Sequence, residues 1–86
     1  MQPILPSWFK QRQCKAELAG ENVLRVSGPN LGDAYVLIRR AENGRWQAAL
    51  RSAADGPDVA ATDAEISSPQ DTWDAAFELY RNHVIV

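Results

Sequence analysis

The run SPQDTWDAAFELYRN, Ser68 to Asn82, constrains this chain more than any other stretch. Ser68 offers a side-chain oxygen to the first free N–H groups of a helix. Pro69 fits the first helical position, where a donor would go unpaired anyway. Asp71 and Asp74 place negative charge near the positive end of the helix dipole. Behind this cap Trp73, Ala76, Phe77 and Tyr80 recur at i, i+3, i+4 and i+7, and so share one face. Glu78 and Arg81 lie largely off that face, three residues apart, a spacing that suits an ion pair. Val84, Ile85 and Val86 are β-branched and favour extended backbone, so the helix is expected to stop near Asn82 or His83. A helix of about four turns is marginal in water on its own. Its three aromatics therefore require an apolar surface to cover, and the rest of the chain has to supply it.

Upstream, the pattern turns to period two. Cys14, Ala16 and Leu18 alternate with Lys15 and Glu17, and Leu24 and Val26 alternate with Arg25. Treating Gly20-Glu21-Asn22 as the connection places Leu18 opposite Leu24, Ala16 opposite Val26 and Glu17 opposite Arg25, matching apolar with apolar and acid with base. SGPNLG, Ser27 to Gly32, is a loop. A strand from about Ala34 to Ala41 meets the best hairpin signal in the chain, Glu42-Asn43-Gly44-Arg45. A two-residue type I′ turn at Asn43-Gly44 predicts the pairs Ala41–Trp46, Arg39–Ala48, Leu37–Leu50 and Tyr35–Ser52. On that register Leu37, Leu50, Tyr35 and Trp46 face the helix, and the open face carries Val36, Ile38, Arg40, Gln47, Ala49 and Arg51. Val59 to Ile66 reads as an acidic edge strand.

Residues 1–12 hold Pro3 and Pro6 and read as a loose lead-in, with Trp8 and Phe9 expected against the edge of the core, since two exposed aromatics would invite association. Ser7 either caps a short helical turn or runs extended into the first strand. Together these segments describe one α+β domain: an antiparallel meander of four or five strands with one C-terminal amphipathic helix packed on a face.

The function classes that remain are few. With 45% apolar and 23% charged residues the composition is that of a soluble globular protein. No apolar run approaches the ~18 residues needed to cross a bilayer. The opening MQPILPSWFK has no basic leader followed by an apolar stretch. Cys14 is the single cysteine, so no internal disulfide forms, and a reducing cytoplasm is the expected location. Cys14 and His83 stand at opposite ends of the chain, without the local ligand pairs of a zinc site. As a nucleophile and base they are outweighed by a buried thiol and a helix-end histidine. No glycine-rich loop leads from a strand into a helix, so neither a phosphate site nor a cofactor is expected.

Charge is uneven along the chain. Residues 1–51 hold eight basic against four acidic side chains, and residues 52–86 one against seven. The reading that follows is a non-catalytic binding module, with a protein partner or a second copy as the expected occupant. Its expected binding residues are Arg40, Arg51, Ile38 and Gln47 of the open face, whose apolar centre has a charged rim. The alternative is a weak nucleic-acid binder using Arg25, Arg40 and Arg51. A pI near 5.2, and a register that sends Tyr35 and Trp46 to the helix side, argue against that alternative.

Overall fold

Five antiparallel strands pair in chain order: β1 (Lys15–Gly20), β2 (Val23–Ser27), β3 (Ala34–Arg40), β4 (Trp46–Arg51) and β5 (Asp58–Ala61). A short helix α1 (Ser7–Gln11) precedes the sheet, and α2 (Pro69–Tyr80) lies across its inner face and runs into a π-helical turn at Arg81–Ile85. The computed structural model describes residues 4–29 and 31–85. The first three residues of the lead-in, Asn30 of the SGPNLG loop and the terminal Val86 lie outside the described residues. The architecture is the expected α+β meander.

The C-terminal helix forms as its sequence dictates. Ser68 Oγ accepts from the Asp71 N–H at 3.2 Å, and Pro69 occupies the first turn. Trp73, Ala76, Phe77 and Tyr80 are all buried. Glu78 and Arg81 approach to 3.9 Å. The expected stop is corrected: Val84 continues in the π-helical turn rather than in extended backbone, and packs against the core.

Of the described residues before β1, Leu5, Trp8 and Phe9 pack on the core, with Phe9 inside it rather than at its edge. Pro6, not Ser7, stands at the N-cap of α1, with no side-chain capping bond. Phe9 is fully buried and meets Phe77 edge-on, ring centroids 5.2 Å apart. The Arg81 guanidinium lies 5.7 Å from the Trp8 ring centroid, which ties the end of α2 back to α1. The exit from α1 is a Schellman turn, with Gln13 N–H donating to the Lys10 carbonyl and Cys14 N–H to that of Phe9, both at 3.0 Å. Gln13 pays for this geometry with a φ of 58°.

Register explains which faces are buried. Between β1 and β2 the pairs are Ala16–Val26, Glu17–Arg25 and Leu18–Leu24, as expected, but the connection is the two residues Glu21-Asn22 rather than three. Gly20 pairs with Val23, and a bulge between Leu18 and Gly20 keeps the apolar pairs in register. Asn22 adopts a φ of 60° in the turn, which asparagine tolerates. Between β3 and β4 the expected register is one residue out. The observed pairs are Tyr35–Arg51, Val36–Leu50, Leu37–Ala49, Ile38–Ala48, Arg39–Gln47 and Arg40–Trp46. A type I′ turn needs positive φ at both central residues, and here only Gly44, at 82°, has it. The loop therefore takes three residues, Glu42-Asn43-Gly44, closed by Ala41 N–H to the Arg45 carbonyl at 2.7 Å.

One residue of slip reverses the face of β4 relative to β3. Leu24, Val26, Ala34, Val36, Ile38, Ala48 and Leu50 form the inner face under α2. Tyr35 and Leu37 turn outward. The last strand is shorter than expected; after Ala61 the contact with β4 continues through the Thr62 N–H to the Ala48 carbonyl at 2.9 Å and a bridge between Trp46 and Ile66.

Two stability changes follow. Gln13→Gly relieves the left-handed strain and is expected to raise the unfolding free energy by about 1 kcal/mol in urea denaturation. The Tyr80 hydroxyl is fully buried with no hydrogen-bond partner among the described residues. Tyr80→Phe is therefore expected to be neutral or to stabilise by about 1 kcal/mol, and a loss of that size would show that the hydroxyl is satisfied.

Candidate binding surface

The outer face of the sheet is built in rows, because directly opposed residues of an antiparallel sheet point to the same side. One row runs across all five strands: Glu17, Arg25, Tyr35, Arg51 and Asp58. The next row is apolar: Val23, Leu37, Ala49 and Ala61. Beyond it Arg39 stands opposite Gln47.

The charged row is closed at both ends. Glu17 pairs with Arg25 on one side. On the other, Asp58 accepts from Arg51 Nε at 2.8 Å and from Arg39 Nη2 at 2.7 Å. Arg39 also donates through Nε to Gln47 Oε1 at 2.8 Å, while the Gln47 amide donates to the Thr62 carbonyl at 2.7 Å. To reach Asp58, two positions along the face, the Arg39 side chain crosses the row that holds Ala49. The Arg39 stem thus spans the apolar row, where Ala49 is 0% and Leu37 6% exposed although no described helix covers them. Tyr35 is half-buried, flanked in register by Arg25 and Arg51.

The expected binding residues separate on this geometry. Arg25, Gln47 and Arg51 share the outer face. Ile38 does not: it is 4% exposed and belongs to the core beneath α2. Arg40 stands opposite Trp46 on the inner side, beyond the helix, with its Nε donating to the Gly44 carbonyl at 3.2 Å. Val36, placed on the open face by the type I′ register, is also in the core. Tyr35 and Arg39 are the residues the sequence reasoning missed. The signal lay in β2, whose alternation of Leu24 and Val26 with Arg25 selects the even positions of β3 as the inner ones.

Electrostatics distinguish these groups from reactive ones. Hydrogen bonds from Arg39 and then Arg51 hold the Asp58 carboxyl below its ordinary range. Burial pushes the Cys14 thiol up, with Arg12 opposing it, so at neutral pH Cys14 is a protonated thiol. Cys14 lines hollows with Leu5 and Ala16 and with Pro29 and Leu31, whereas His83 lines another with Asp33 and Ser52. Among the described residues no three potential ligands cluster as a metal site, and no helix is long and apolar enough to cross a membrane. Compared with protein-family models, curated proteins and solved structures, the chain matches none.

The lowered Asp58 pKa has a sign that can be checked. Its pairing stabilises the fold above the unfolded carboxyl value, near pH 4, and that contribution is lost as pH falls through the lower folded value. The urea midpoint of Asp58→Asn is expected to vary less steeply than the wild type's below about pH 4. Parallel acid limbs for the two proteins would show that Asp58 gains nothing from its arginines.

Proposed function

We propose that the chain is a non-catalytic binding module that takes a protein partner on the outer sheet face, with Tyr35 as its anchor. The supporting observation is the position of Tyr35, half-buried between Arg25 and Arg51, in a row whose arginines are held by Glu17 and Asp58. Tyrosine and arginine are the side chains most often found to carry binding energy at protein interfaces. Arginines already ordered by carboxylates lose less side-chain freedom when a partner arrives. The partner this face fits presents an apolar group to Tyr35 and the edge of Leu37, with acceptors for the guanidinium N–H groups left free. The protonated state of Cys14 supports the non-catalytic part of the reading.

A second reading has one observation in its favour. An aromatic between arginines on an uncovered sheet is an arrangement on which a single-stranded nucleic acid stacks its bases. Against it stand the net charge of −2 and the two carboxylates that neutralise part of the row.

Tyr35→Ala separates a working surface from an idle one. Partners captured by the wild type are expected to bind the variant about 30-fold more weakly, with an unchanged unfolding midpoint. Equal capture by the two proteins would rule out the outer face. Salt separates the readings: a protein contact changes little between 50 and 200 mM, whereas phosphate-driven binding falls by orders of magnitude.

A further inference from the structure

The two edges of the sheet are unequal. β5 is four residues long and carries a register shift against β4, and past Ala61 the backbone stays beside β4 only through irregular bonds at Thr62 and Ile66. Such features blunt an edge against association. β1 is six residues long, contains no proline, and its outer edge pairs with no strand among the described residues. Leu18 on this strand is 57% exposed.

Backbone polarity along β1 follows from the neighbouring strands. Ile38 N–H donates to the Asn22 carbonyl at 3.1 Å, so the even-numbered residues of β2 direct their polar groups to β3. Arg25 and Ser27 consequently bond to Glu17 and Lys15 of β1. Ala16 and Leu18 are left presenting N–H and C=O to the free edge. An antiparallel partner must therefore meet even-numbered residues with its own outward groups.

We propose that the occupant of this edge is a second copy of the chain, with Ala16 opposite the second copy's Ala16, forming one continuous ten-stranded sheet. Among the charges within β1, only this even-residue register opposes unlike ones. Centring on Lys15 or Glu17 sets lysine against lysine or glutamate against glutamate, and centring on Leu18 leaves both without an opposite in the strand. Centred on Ala16, each Lys15 lies opposite the other copy's Glu17 at a non-hydrogen-bonded position, where side chains are closest. Among the described residues Lys15 makes no ion pair within its own chain, whereas Glu17 already holds Arg25, so the pairing extends the charged ladder of the outer face across the two-fold. On the inner side the exposed Leu18 meets the half-buried Cys14, beside a hollow of about 410 Å³ lined in part by Leu5, Cys14 and Ala16. Because the Cys14 N–H is engaged by Phe9, the junction contains two backbone bonds at Ala16 and one from each Leu18 N–H to a Cys14 carbonyl. The β1 edge takes this partner whatever binds the outer face.

The test uses the native thiol. Residues four apart in a strand are about 13 Å apart, too far to bridge within one chain, whereas opposed residues of a hydrogen-bonded pair are about 5.5 Å apart, within disulfide range. Leu18→Cys, oxidised mildly, is expected to run as a covalent dimer on a non-reducing gel, and Leu18→Cys with Cys14→Ser as a monomer. Light scattering of the wild type is expected to give a dimer, and Lys15→Glu to weaken it about tenfold by opposing two glutamates. A wild type that stays monomeric across the concentration series overturns the proposal. Cross-linking that persists without Cys14 overturns the register.

Discussion

Packing of the α2 aromatic face against the sheet governs the rest of the structure. Trp73, Phe77 and Tyr80 demand a continuous apolar floor, and Leu24, Val26, Val36, Ile38, Ala48 and Leu50 provide it. Phe9 closes the assembly from the N-terminal side by packing against Phe77. Because strand residues alternate, choosing those six as the floor simultaneously sends Arg25, Tyr35, Leu37, Arg39, Ala49 and Arg51 to the other side. The outer face is thus the complement of the core.

That complement is not a simple solvated face. Leu37 and Ala49 would form an exposed apolar strip, and the chain covers them with arginine side chains rather than with a second helix layer. The arrangement depends on Asp58, which receives Arg39 and Arg51 together and so holds the Arg39 stem across the strip with Arg51 beside it. Surface ion pairs contribute little by themselves. Here their effect is positional: they fix where the guanidinium groups and the flank of Tyr35 stand.

The edges follow the same economy of a small domain, in which one helix layer and five strands leave much backbone at the boundary. The bulge and brevity of β5 disarm one side. On β1, the alternation of Lys15 and Glu17 makes the strand self-complementary in one antiparallel register and repulsive in two others. Charge pattern therefore distinguishes registers that backbone pairing alone would accept equally.

Much of this was legible in local sequence. The cap Ser68-Pro69, the helical spacing of Trp73, Ala76, Phe77 and Tyr80, and the Glu17–Arg25 register each rest on contacts a few residues apart or on unambiguous alternation. The outer face was legible only in part, since Arg25, Gln47 and Arg51 were placed on it while Ile38 and Arg40 were misassigned. The run Val36-Leu37-Ile38 is apolar on both sides and carries no period-two signal of its own. Whether Asn43-Gly44 closes in two residues or Glu42-Asn43-Gly44 in three is decided by which β4 face then joins Val36 and Ile38 beneath the helix. Local turn preference differs little between the two loops, whereas burial of Leu50 and Ala48 beside Val36 differs by several kcal/mol. The sequence by itself determined the main elements and their order; tertiary burial decided the register of β3 against β4, and with it that Tyr35 and Arg39 stand on the outer face.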